Sequence, residues 1–140
     1  MSVPFSVEVA SYHEAGHCVA ACRLGVRVRF ASVLFDGETL GKIRCVYDHR
    51  TPHETIAKIG LAGPAAEVRR WPDRLGKNPE AMDDVNAAAE ESGVDADELL
   101  ARLKREVEKL VDEHWPSIER VATVLQRHKV LTGAEVRDLI

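Results

Sequence analysis

The sequence predicts a mainly helical α+β domain in which a small β-hairpin lies beside a helix carrying a metal-type motif. Three observations predict it. Apolar residues recur at helical spacing through most of the chain, most clearly at Leu99, Leu103, Val107, Leu110 and Val111. One region, Val28 to Tyr47, is rich in β-branched and aromatic residues and has a turn signal at its centre. The stretch Tyr12-His13-Glu14-Ala15-Gly16-His17-Cys18 places two histidines four apart, with a glutamate directly after the first.

The elements follow in order. Ser6 to Leu24 reads as a helix, with Gly25 where a helix C-terminus wants it. Gly16 weakens its middle by roughly 1 kcal/mol relative to Ala, so a small residue there points to close packing against a neighbour. Val28 to Phe35 and Gly41 to Tyr47 read as strands around the turn Asp36-Gly37-Glu38-Thr39, with Ile43, Cys45 and Tyr47 alternating against Lys42, Arg44 and Val46. Thr51-Pro52-His53-Glu54 reads as a capping box opening a helix to about Arg70, with Ile56, Ile59, Gly63 and Ala66 on one face. Pro64 is expected to bend or split that helix.

Trp71-Pro72-Asp73 breaks the chain, and Arg74 to Asn78 reads as a loop. A third helix starts at Asn78-Pro79-Glu80 and stops at Ser92-Gly93. Asp95 with Glu98 forms a capping box for the long helix that follows. Trp115-Pro116 ends or kinks it, Ser117 to His128 continues as another helix, and Thr132-Gly133-Ala134-Glu135 caps a short final one.

Composition narrows the function. The 140 residues, 45% of them hydrophobic, suit one domain spanning 1–140. A formal net charge of −4 gives no basic face for nucleic acid. No apolar run is long enough to span a membrane, and the N-terminus lacks a signal-peptide layout, so a cytoplasmic protein is expected. Three cysteines, Cys18, Cys22 and Cys45, argue against a disulfide framework. Cys18 and Cys22 share a helix face and are read as buried thiols rather than metal ligands.

The chemistry lies in the histidine motif. Residues four apart project from one side of a helix, so His13 and His17 can clamp one Zn2+. Glu14 flanks that face, out of the coordination sphere but within reach of a water on the ion. This is the division of labour of a metallopeptidase: zinc acidifies its water and polarises the scissile carbonyl, while the glutamate carries the proton to the leaving amine. The bland reading is two surface histidines beside a solvated glutamate. The apolar run Val19-Ala20-Ala21 that follows argues against it.

A catalytic zinc needs a third protein ligand. Candidates are Glu67, Asp83, Asp84, His49 and His53. The two aspartates near a helix start also suit its dipole, and the two histidines flank a cap and are expected to face solvent. Spacing alone does not choose between Glu67 and Asp84.

The order Tyr12-His13-Glu14-Ala15-Gly16-His17, hairpin, Leu61-Ala62-Gly63-Pro64-Ala65-Ala66-Glu67, then Asp83-Asp84-Val85-Asn86-Ala87-Ala88, resembles the peptidase domain of the FtsH family of ATP-dependent zinc proteases. The similarity covers nearly the whole chain, including the closing Thr132 to Ile140. The resemblance implies an FtsH-peptidase-like fold and Asp84 as the third ligand, with Glu67 as a group that orients a ligand imidazole or, alternatively, ligates. It also implies that an extended peptide or unfolded-protein substrate pairs with a sheet edge beside the zinc, here in the hairpin.

The chain departs from the family in places. It has no apolar 20-mer and no G-x-x-x-x-G-K-[ST] phosphate loop, so the expectation is an ATP-independent enzyme acting on exposed chains, or one working beside a separate ATPase or as a homo-oligomer. Pro64 replaces a basic residue of the family motif, and Lys77 to Met82 lacks the family's glycine-containing run before Asp84. The alternative function is a zinc-binding regulatory or adaptor module that cleaves nothing.

Overall fold

Ser6 caps the first helix, α1 (Val7–Arg23), by accepting from the Val9 N–H at 3.3 Å. Leu24 caps its C-terminus, and Gly25, whose φ of +79° is left-handed, turns the chain into β1 (Arg27–Ser32). The computed structural model describes residues 6–74 and 79–140. Within them lie also β2 (Lys42–Val46), α2 (His53–Arg70), α3 (Pro79–Ser92), α4 (Ala96–Glu113), α5 (Trp115–His128), β3 (Val130–Thr132) and α6 (Gly133–Leu139). The mainly helical α+β class read from the sequence is the one observed.

β1 and β2 pair antiparallel as the expected hairpin, with a register shift between Val28 and Phe30. Its connection is tied by Asp36, whose carboxylate accepts from the Glu38 and Thr39 N–H groups and from Lys42 Nζ. Ile43 and Cys45 turn toward the core while Lys42, Arg44 and Val46 face outward, as the alternation predicts. The sheet has a third strand the sequence reading did not contain. β3 pairs antiparallel with β1, giving the order β2-β1-β3.

Lys129, with φ +70°, reverses the chain from α5 directly into β3, and its carbonyl accepts from the Val33 N–H at 2.8 Å. Thr132 and Glu135 then form the expected capping box of α6. Gly133 lies so close to the Val28 carbonyl that a Cβ would overlap it, so a glycine is required where α6 leaves the sheet.

α1 and α2 are the central pair. Gly16 meets α2 without room for a side chain: a Cβ there would sit 2.5 Å from the Ala62 carbonyl oxygen and 2.9 Å from Ala66 Cβ. The small residue does admit close helix packing. α2 runs unbroken from His53 to Arg70, so Pro64 neither splits it nor ends it. Contacts with α1, α3 and α4 hold α2 on several sides, which offsets the backbone hydrogen bond Pro64 cannot donate.

The capping box read at Thr51 is displaced. Pro52 is the N-cap and makes no side-chain cap bond, while the Thr51 hydroxyl accepts from the Asp48 N–H. At α4, Asp95 caps by accepting from Glu98 N–H. Leu99, Leu103, Val107 and Val111 are buried there as the period predicts, and α5 begins at Trp115 with Pro116 in its first turn. Tyr12 on α1 stacks on Trp115 and receives Trp71 edge-on, at ring separations of 5.7 and 5.4 Å, which locks the end of α2 and the start of α5 to α1.

No helix among the described residues is long and apolar enough to cross a membrane.

Candidate metal centre

His13 and His17 project from α1 toward α2, one turn apart, with ring centroids 4.6 Å from each other. His17 Nδ1 lies 2.6 Å from the Ile59 carbonyl oxygen. A carbonyl only accepts, so Nδ1 carries the proton and Nε2 keeps its lone pair. His13 Nδ1 lies 2.5 Å from Glu67 Oε1, which fixes the same tautomer when that carboxylate is ionised. Both Nε2 atoms lie beside one residue of α2. A Cβ built on Gly63 would overlap His17 Nε2 and sit 2.9 Å from His13 Nε2. Two imidazoles with Nδ1 satisfied, Nε2 left as the donor atom and ligand atoms within 4.8 Å of one another suit a zinc ion, so the residues fit that group.

Burial, and then the neighbouring His13, push the His17 pKa down to about 3. The ring is therefore neutral through the physiological range, as a metal ligand must be. Glu14 is 4% exposed, and one carboxylate oxygen lies 4.0 Å from His17 Nε2. Burial raises its pKa to about 7; His13 opposes that rise and Glu67 adds to it. A carboxyl poised there can both take and give a proton near neutrality.

Among the described residues, His13, Glu14 and His17 form the one group of three whose potential ligand atoms lie within 4.8 Å of one another. Asp84 stands outside it, half-buried on α3 with Asp83 exposed beside it. Burial raises the Asp84 pKa, against the pull of His53. Glu67 does not join the group either. It is buried at 5% exposure, holds His13 with one oxygen, and accepts from Arg74 Nε at 2.8 Å with the other. These two hydrogen bonds bring its pKa below the usual value despite burial, so it is an anion.

His53 bridges α2 to α3 through Glu91, 2.7 Å away, and His49 is exposed. Cys18 is fully buried in the core with its thiol pKa pushed well up by burial, and no cysteine belongs to the group.

Glu14 also touches the sheet. A Cβ on Gly41, the residue before β2, would sit 2.8 Å from Glu14 Oε2. His13 and Glu14 line one side of a cleft of about 420 Å³, and the hairpin connection, with Phe35, Thr39, Leu40 and Gly41, lines the other. β2 is an outer strand of the sheet, and the residue before it, Gly41, lies beside Glu14.

Sequence reasoning did not find Arg74, the Ile59 carbonyl, or the parts played by Gly41 and Gly63. A lone arginine in a turn and a backbone carbonyl carry no pattern. Gly63 stands in a small-residue run that fits packing equally well, and Gly41 stands after a turn, where a glycine is expected on backbone grounds alone.

No protein-family model matches the chain, and no curated protein matches it.

Proposed function

We propose that the chain is a zinc metallopeptidase of the kind its resemblance to the FtsH peptidase domain implies. The observation that carries this reading is the convergence of His13 Nε2 and His17 Nε2 beside a buried, proton-accepting Glu14. A structural zinc site has no use for such a glutamate and closes its fourth position with Cys or His. Asp84 is the third ligand in this reading, supplied by α3, and Glu67 orients His13.

Zinc supplies a Lewis acid for the scissile carbonyl and lowers the pKa of water. His13 and His17 hold it as neutral donors. Glu14 takes the proton from the attacking water and passes it to the departing amine, which its raised pKa favours. The open edge of β2 takes an extended peptide by strand addition, which lays the backbone alongside Gly41 and past Glu14. Exposed or unfolded chains are the substrates this geometry suits, because a folded one does not present such a strand.

The test is turnover of casein or a quenched fluorescent peptide by zinc-loaded protein, wild type against Glu14→Gln. The reading predicts a loss of at least about 100-fold with zinc content unchanged. Equal turnover in the two proteins would show that Glu14 is not the base, and no turnover in either would favour the adaptor alternative.

A further inference from the structure

The two histidines are held by different kinds of partner. His17 Nδ1 meets the Ile59 carbonyl, a backbone group inside α2 that cannot turn away. His13 Nδ1 meets a side chain, Glu67. The last torsion of a glutamate is broad, so a carboxylate gripped at one oxygen swings about that bond. His13 is thus the donor whose aim depends on a brace for its partner.

Arg74 is placed to be that brace. Its Nε donates to Glu67 Oε2 at 2.8 Å while Oε1 stays on His13. The guanidinium is planar and permanently charged, and at 15% side-chain exposure it is largely shielded from competing water. The turn that carries it is fastened at both ends. The Trp71 N–H donates to the Glu67 carbonyl at 2.7 Å, and the Arg74 N–H donates to the Trp71 carbonyl at 3.0 Å. The Trp71 ring packs edge-on against Tyr12, the residue before His13. The turn therefore braces α2 and α1 at the same level as the ligand.

We propose that Arg74 is a positioning residue for the metal centre: through Glu67 it fixes the orientation of the His13 ring, whose Nε2 lies beside Gly63. The proposal rests on the reading of His13 and His17 as metal ligands but not on proteolysis.

The experiment measures zinc affinity of the full chain by competition with a chromophoric chelator, together with ¹⁵N shifts of the His13 ring in metal-free protein. Arg74→Ala is expected to bind zinc about 10–100-fold more weakly, with its circular-dichroism spectrum unchanged. Arg74→Lys recovers part of the loss. Arg74→Ala added to Glu67→Ala weakens binding no further, because the arginine acts through that carboxylate. In metal-free Arg74→Ala the neutral His13 ring becomes a mixture of Nδ1–H and Nε2–H forms, where wild type shows Nδ1–H alone. Undiminished affinity, or losses that add in the double variant, would overturn the proposal. So would a His13 ring that stays wholly Nδ1–H in Arg74→Ala, and that readout stands whether or not zinc binds. Failure of peptide turnover leaves all three measurements intact and bears only on the peptidase reading.

Discussion

Gly63 on α2 lies against the Nε2 edge of His17 on α1, with no space between them for a methyl group. The helix that supplies the anchor for His17, the Ile59 carbonyl, also supplies the glycine against which both rings pack. A Cβ on Gly63 would sit 2.6 Å from His17 Cε1 and 2.9 Å from His13 Nε2. Neither ring turns aside freely, because each Nδ1 is already bound. Gly63→Ala is expected to weaken zinc binding at least about tenfold, a figure of the size found for disturbed ligand orientation. Overpacking against the held rings costs about 1–3 kcal/mol and helix propensity returns about 1 kcal/mol, so unfolding free energy falls modestly while affinity falls. Chelator competition and urea unfolding on the same variant separate the two.

Gly16→Ala probes packing instead. The methyl meets the Ala62 carbonyl, a backbone atom in the middle of α2 that cannot rotate away. Relief requires the two central helices to move apart. Overpacking of this kind costs about 1–3 kcal/mol, which outweighs the propensity gain of about 1 kcal/mol. Urea unfolding should show a net loss of stability; a gain would mean that α1 and α2 are farther apart than described.

Glu14 makes the metal-free protein pH-sensitive. Its folded pKa of about 7 lies above the ordinary glutamate value of 4.5, so between these values the folded state holds a proton the unfolded chain has released. Stability from this group is complete below pH 4.5 and is lost as pH rises through 7. His17 runs the other way: with a folded pKa of about 3 against 6.5, it destabilises as pH falls from 6.5 toward 3. Comparing Glu14→Gln with wild type isolates the first limb. In chelator-treated protein the variant should gain on wild type as pH rises from 4.5 to 7, reaching up to about 3 kcal/mol above that. A difference that does not change with pH would mean that Glu14 is solvated.

The site's legibility was uneven for physical reasons. His13, Glu14 and His17 were readable because one helical turn fixes their relation locally. The strand alternation and the α4 stripe were readable for the same reason. β3 was not. It is three residues long, its pairing with β1 is a tertiary event, and the reversal before it uses Lys129 where glycine or asparagine would have signalled a left-handed turn. The helix start at Pro52 rather than Thr51 and the continuity through Pro64 were likewise settled by what α2 packs against. Arg74 acquires its partner only when the turn after α2 folds back on Glu67.

Asp84→Ala tests the ligand taken from the resemblance. Zinc content should fall sharply there and fall less in Glu67→Ala, which disturbs the aim of His13 but removes no ligand. Zinc retained in Asp84→Ala and lost in Glu67→Ala would transfer the third position to Glu67.

The central claim is that His13 and His17 bind one zinc ion through Nε2, with Glu14 beside it and Asp84 completing the protein ligands. A crystal structure of the zinc-loaded chain, with anomalous differences measured on both sides of the zinc edge, tests it most directly. One peak is expected about 2.0–2.1 Å from both Nε2 atoms, with an Asp84 oxygen about 2.0–2.2 Å away and a non-protein fourth position next to Glu14. A peak bound through Nδ1, a peak elsewhere in the molecule, or no peak in zinc-saturated crystals would contradict it.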